Sequence, residues 1–180
     1  HEILSSDSFM VSMWIYPTEE HSWRCALYVK YETGFFGMIP IAWEGHSSFR
    51  IRDSKEVDGW YDISGCKLQV NEWSHYVVSY NAKTETAYAY INGQLVGSMK
   101  NVPGNRYAKR IVLGGDVFQP SFIGKICEVT FYNEIRDHDF VSELHQSYSL
   151  FFYLLLNSYR YNNQNYNPTL ELQDTLHHTP

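Results

Sequence analysis

Short runs in which apolar and polar residues alternate recur along most of the chain, and a period of two is typical of β-strands with one buried face. From Phe9 to Ile15, for example, every second residue is apolar. The pair Asn92-Gly93 stands between two such runs and predicts a tight hairpin, because both residue types tolerate positive φ angles. The pattern predicts about nine strands, over residues 9–16, 25–31, 37–43, 47–52, 73–80, 86–91, 94–96, 110–114 and 122–132.

One helix is predicted after the last strand. Asp137 is a favoured N-cap residue, and apolar residues recur at helical spacing from Phe140 to Tyr148. We expect this helix to be short and to seal one end of the strand assembly. The apolar run at residues 150–156 has the composition of either a buried strand or a helical segment.

The C-terminal part of the chain has a different composition. Residues 157–167 are rich in Asn and Tyr, and the polar stretch that follows shows neither a helical nor a strand period. The predicted organisation is therefore one folded domain over residues 1–156 and a polar extension over residues 157–180.

Composition narrows the possible functions. The chain has 180 residues, of which 44% are hydrophobic, 17% aromatic and 19% charged, so it can bury one core and does not belong to the disordered class. The formal net charge of −6 and the lack of a continuous Lys/Arg stripe oppose nucleic-acid binding. No apolar run reaches the roughly 20 residues that a membrane-spanning helix needs.

Metal and thiol chemistry have little support in the sequence. Cys25, Cys66 and Cys127 allow at most one internal disulfide and contain no Cys-x-x-Cys pair. They lie in or near strand patterns, so we expect buried, unreactive thiols.

Five short motifs occur in a recognisable order along the chain. They are Phe9-x-Val11-Ser12-x-Trp14-Ile15, Trp73-Ser74-His75-Tyr76-Val77-Val78, Ala89-Tyr90-Ile91-Asn92-Gly93-x-Leu95-Val96-Gly97, Ile111-x-Leu113-Gly114-Gly115 and Phe122-x-Gly124-x-Ile126-x-Glu128-Val129-x-Phe131-Tyr132-Asn133. Over about residues 8–148 this order resembles the laminin-G-like, concanavalin A-like domains attached to glycoside hydrolases, sialidases and adhesion proteins, and also the lectin-like half of the receptor-binding region of clostridial neurotoxins. The resemblance implies an all-β antiparallel β-sandwich, a jelly roll, in which His75 packs in the core. We also expect Trp14 and Trp73 in the core.

The chain departs from this family at two places. Related domains begin with one more strand than residues 2–7 provide, and either residues 150–156 or a neighbouring domain would supply the replacement. Many relatives also hold a structural calcium ion with an Asp where this chain has Cys127. Because a thiol is a poor ligand for a hard cation, calcium is disfavoured, and Glu128 with backbone carbonyls is the remaining candidate ligand set.

Catalysis and binding make different demands on side chains. Retaining glycoside hydrolysis requires two carboxylates about 5–5.5 Å apart, which the resemblance would place as Glu-x-Asp on one strand. No predicted strand carries that pattern, and the acidic residues between 53 and 62 are expected in a solvated loop. Sugar binding instead combines exposed aromatic rings with fixed polar groups. Three predicted loop segments, 43–46, 58–62 and 116–119, have this composition, and their candidate ligand-binding residues are Trp43, Asp58, Trp60, Tyr61, Asp116 and Phe118.

The sequence therefore predicts a non-catalytic recognition module whose partner is a glycan or glycoprotein. The alternative is a structural or protein–protein interaction module in a larger extracellular or adhesive assembly, which would use an exposed sheet edge. A glycoside hydrolase is disfavoured because no carboxylate pair is visible. Since the chain begins at His1, we expect a processed form or a part of a larger protein. We also expect it to be located outside the cell.

Overall fold

The structure is a computed structural model that describes residues 8–20, 22–53, 59–102 and 108–164, with only the backbone of Cys66 and of residues 152–164. Within these ranges it contains ten β-strands and one α-helix. The strands are β1 (Phe9–Pro17), β2 (Leu27–Lys30), β3 (Gly34–Ile39), β4 (His46–Asp53), β5 (Trp60–Lys67), β6 (Ser74–Asn81), β7 (Thr86–Ile91), β8 (Gln94–Met99), β9 (Arg110–Leu113) and β10 (Gly124–Tyr132), and the helix is α1 (His138–Gln164).

The strands form two five-stranded sheets. The first sheet has the order β10-β1-β6-β7-β8, and the second has the order β5-β4-β3-β2-β9. Every described strand pair is antiparallel. The predicted all-β antiparallel sandwich is therefore confirmed, and the non-consecutive neighbours in both sheets are the crossovers of a jelly roll.

The main core lies between the two sheets. Alternate residues of β1, from Phe9 to Ile15, point inward and pack with residues such as Val29 of β2 and Phe36 of β3. The same alternation places Tyr76 and other residues of β6 in this core. The period of two in the sequence thus marks the inward face of each central strand, as an aligned sandwich requires.

The hairpin between β7 and β8 forms where the sequence predicts it. Asn92 and Gly93 both have positive φ angles, 52° and 77°, so the strands can turn back within two residues. Residues 60–62, however, are not in a loop, because β5 begins at Trp60 and forms an edge of the second sheet. An edge strand carries polar outward residues, and its charged composition resembles that of a loop.

Helix α1 differs from its prediction in length and position. Asp137 caps it, since its Oδ1 accepts a hydrogen bond of 2.9 Å from the backbone N–H of Phe140. The buried Val141 packs on Met10, Val77 and Tyr90, so the first turn covers the outer face of the first sheet rather than an end of the sandwich.

The predicted short helix is wrong because α1 is 27 residues long. Residues 150–156 are part of it, so they supply no replacement strand. The sequence contains neither Gly nor Pro between residues 138 and 164, so nothing interrupts the helix. The chain divides into two compact units, His1–His145 and Gln146–Pro180. None of the helices described is long and apolar enough to cross a membrane.

Candidate functional site

The outer face of the second sheet carries two parallel rows of side chains, which we call the aromatic face. Directly paired residues on antiparallel strands point to the same side of a sheet, so the register defines both rows. One row runs Arg110, Lys30, Phe35, Arg52 and Trp60, and the other runs Val112, Tyr28, Gly37, Arg50 and Asp62.

A cavity of about 370 Å³ opens on the aromatic face. Its lining is mainly aromatic and comprises Trp23, Cys25, Tyr28, Phe35, Ile39, Arg50, Trp60, Asp116, Phe118 and Gln119. Phe35 stands between two walls, with ring centroids 6.0 Å from Trp60 and 5.4 Å from Phe118. Trp60 is 50% exposed and Phe118 is 64% exposed, so both rings are accessible to a ligand.

Arg50 organises the indole rings around the cavity. Its guanidinium carbon lies 4.6 Å from the ring centroid of Trp23, 4.8 Å from that of Trp43 and 5.0 Å from that of Trp60. Two hydrogen bonds, of 2.6 and 3.0 Å, join it to the carboxylate of Asp62. Because the guanidinium is planar and two of its three nitrogens are held by Asp62, it fixes the orientation of the rings around it.

Trp23 holds a backbone conformation that is unusual for a large side chain. Its φ angle is 69°, in the left-handed region, and its N–H donates to the carbonyl of Ile41 at 2.8 Å. The ring meets that of Trp43 edge to face, with centroids 4.4 Å apart. Backbone strain of this kind is concentrated at ligand sites, so it supports a functional role for the ring cluster.

Asp116 shapes the loop that carries Phe118. Its Oδ1 accepts hydrogen bonds from the N–H groups of Phe118 and Gln119, at 2.6 and 2.7 Å. The thiol of Cys25 lies on the cavity floor, where burial and then the neighbouring Asp116 carboxylate raise its pKa far above the usual range. The floor is therefore an unreactive thiol, and Asp116 positions an aromatic wall.

The structure brings three sequence candidates together, since Trp60, Asp116 and Phe118 all line the cavity. Trp43 lies beside it, 48% exposed and in contact with Arg50. Tyr61 points to the opposite side of β5 and packs on the main core, away from the cavity. Asp58 lies outside the described residues.

Sequence reasoning missed most lining residues of the cavity, among them Trp23, Tyr28, Phe35 and Arg50. Tyr28 and Phe35 occupy outward positions of strands β2 and β3, where a sheet exposed on one face usually carries polar residues. An aromatic residue at such a position is the sequence signal that could have identified them. The role of Arg50 was not visible, because its partners come from three separate segments of the chain.

Several other expectations can be compared with the structure. Trp73 was expected in the core but is 38% exposed, because β6 begins one residue after it. Trp14 and His75 are buried as expected. Glu128 is exposed, with a φ angle of 51°, and the described residues include no group of three or more His, Cys, Asp or Glu side chains arranged to hold a metal. Burial raises the pKa of the Cys127 thiol as well.

Three solved structures illustrate what the fold resembles. Domain 4 of AbnA, a GH43 extracellular arabinanase from Geobacillus stearothermophilus solved with arabinotriose, is 24% identical, with a TM-score of 0.67 over 78% of this chain and 67% of that one. The CBM40 of the Ruminococcus gnavus IT-sialidase, bound to alpha2,3 sialyllactose, is 13% identical, with a TM-score of 0.64 over 78% and 83%. The binding domain of botulinum neurotoxin serotype D is 15% identical, with a TM-score of 0.65 over 78% and 36%.

These neighbours share the sandwich fold, and two of them are carbohydrate-binding domains solved with an oligosaccharide. No curated protein matches the chain. The laminin-G family model, described as the concanavalin A-like lectin/glucanases superfamily, matches residues 1–142. The chain therefore belongs to the concanavalin A-like lectin/glucanases superfamily.

Proposed function

We propose that this protein is a non-catalytic carbohydrate-binding module and that the aromatic face holds the sugar. The observation that carries the proposal is the cavity between Trp60, Phe35 and Phe118, which has aromatic walls and few polar groups. Its volume of about 370 Å³ falls within the size range of small-molecule sites.

Sugar rings bind to such surfaces through two kinds of contact. Their C–H faces stack on exposed aromatic rings, and their hydroxyl groups require hydrogen-bond partners at fixed positions. Trp60 and Phe118 offer exposed rings, while the side chain of Gln119 offers polar atoms in the lining of the cavity. Because Arg50 orients the indole rings in advance, little ordering is needed when a ligand binds.

The carboxylates near the cavity already have structural tasks, which supports a binding role rather than catalysis. Asp62 is held by both nitrogen contacts of Arg50 and accepts a hydrogen bond of 3.1 Å from Ser48. Asp116 holds two backbone N–H groups of its own loop. A location outside the cell is part of the proposal, in keeping with the extracellular arabinanase among the structural neighbours.

The test is a glycan array followed by titration calorimetry with the strongest binders. Trp60→Ala and Phe118→Ala should each weaken binding by about tenfold, since each removes an exposed ring that a sugar would cover. Trp73→Ala is the matched control, because Trp73 is also a partly exposed indole but does not line the cavity. Binding by wild type that survives both cavity substitutions would refute the assigned site.

A second candidate function is protein docking beside the same cavity. Three apolar side chains, Leu113, Val117 and Phe118, are more than half exposed near the β9 edge of the second sheet. Exposed apolar groups at a sheet edge favour a protein partner. Cross-linking that yields a stoichiometric protein complex, together with an array that binds no glycan, would favour this function over the first.

A further inference from the structure

The aromatic face carries a row of three positive charges. Arg110, Lys30 and Arg52 lie on three different strands and occupy one cross-strand row, with Phe35 between Lys30 and Arg52. Since neighbouring strands are about 4.8 Å apart, the Cα atoms of the two cations that flank Phe35 are roughly 10 Å apart. We call Arg110, Lys30 and Arg52 the cationic row.

Such a concentration of positive charge is unusual in a chain that is acidic as a whole. The chain has a net charge of −6, yet three cations occupy one row on one face. Lys30 and Arg110 are directly opposite each other on β2 and β9, and like charges in directly paired positions destabilise a sheet. An anion between them would convert this repulsion into attraction.

Two cations close to the row, Arg50 and Lys109, have acidic partners. Arg50 is neutralised by Asp62, and Lys109 lies 3.7 Å from the exposed Glu32. Lys30 and Arg110 are exposed, and within the described part of the chain neither forms an ion pair with a carboxylate. Their charges are therefore available to a ligand.

We infer that the aromatic face binds acidic saccharides, with the sugar ring against Phe35 and Trp60 and its anionic group on Lys30 and Arg110. This inference rests on the proposed function and adds the chemical class of the ligand. A sugar that stacks on Phe35 places its substituents beside the cationic row. Carboxylate and sulfate share the chemistry that the row recognises, namely charge-assisted hydrogen bonds to ammonium and guanidinium groups.

The test compares acidic sugars with neutral forms of the same backbone by titration calorimetry. Trigalacturonic acid and sialyllactose serve as carboxylate probes, their methyl esters as neutral counterparts, and a sulfated chondroitin tetrasaccharide as the sulfate probe. At least one acidic probe should bind about tenfold more tightly than its neutral counterpart, and its affinity should fall as salt rises. Lys30→Gln/Arg110→Gln should lower the affinity for that acidic probe to the level of its neutral counterpart and remove its salt dependence.

The control is Lys83→Gln/Lys100→Gln, which changes the net charge equally at two exposed lysines away from the aromatic face. Circular dichroism melting shows whether each variant is folded. If neutral glycans bind as well as every acidic probe, or if the Lys30/Arg110 variant keeps the preference, the inference is wrong and the proposed function stands. If neither these probes nor an array of neutral glycans binds, both are wrong.

Discussion

Replacing Arg50 with Met tests the network that organises the aromatic face. The substitution removes two charge-assisted hydrogen bonds to Asp62, about 1.5–3 kcal/mol, and cation–π contacts with Trp23, Trp43 and Trp60, about 0.5–1 kcal/mol each. Met keeps part of the apolar packing, and such terms are not additive, so we expect the free energy of unfolding to fall by about 3 kcal/mol. For a chain of this size the melting temperature should fall by roughly 6–12 °C.

The assay is urea unfolding followed by circular dichroism, for Arg50→Met, Asp62→Asn and the double variant. Part of the loss in Arg50→Met comes from the half-buried Asp62 carboxylate that is left without its partner. The loss in free energy of unfolding should therefore be smaller in the double variant than the sum of the losses in the two single variants, with a coupling energy of about 1–2 kcal/mol. Arg50→Lys should fall between wild type and Arg50→Met, because Lys keeps the charge but lacks the planar fork. A coupling energy below about 0.5 kcal/mol would refute the role assigned to Arg50.

Three further predictions concern stability and reactivity. Burial lowers the pKa of His75 to about 3, so the folded state favours its neutral form. As the pH falls below about 6.5, the free energy of unfolding should therefore fall by up to ~1.4 kcal/mol per pH unit. Denaturation at several pH values measures this slope, which His75→Gln should flatten and the exposed control His46→Gln should not. Gly34→Ala would press a Cβ into the backbone carbonyl oxygen of Arg52 on the neighbouring strand and should unfold or severely destabilise the protein in a thermal melt. Gly115→Ala, with its nearest atom at 3.8 Å, should melt like wild type. Because burial raises the pKa of Cys25, this thiol should resist iodoacetamide until urea unfolds the chain, and rapid alkylation in the native state, detected by mass spectrometry, would contradict its placement on the cavity floor.

The candidate site shows which properties of a residue can be predicted from its neighbours in sequence. Trp60 was expected to be exposed because Gly and Asp flank it, and Phe118 because its segment combines an acid with an aromatic ring; both are exposed at the cavity. Tyr61 shared the same local composition but points to the core, because adjacent residues of a strand face opposite sides. The loop assigned to residues 58–62 hid this alternation, so the two aromatic neighbours could not be separated.

The helix gives a second example. Its start at Asp137 and its inward residue Val141 follow from local spacing and were predictable. Its length was not, since the apolar run at residues 150–156 suits a strand as well as a helix. Secondary structure in such runs is decided by the contacts available to the backbone, which a single sequence does not display.

The sequence alone determined the fold class of this protein. The period of two and the Asn92-Gly93 hairpin are local properties of the chain, and the order of the five motifs along it carries the family resemblance. Only the tertiary structure decided which side chains line the candidate site. Arg50 contacts the rings of Trp23 and Trp60, and Lys30 is paired with Arg110 on the adjacent strand, although these residues are far apart in sequence. The physical reason is that strand order and register are set by the packing of the whole sandwich, and they determine which distant side chains share one face.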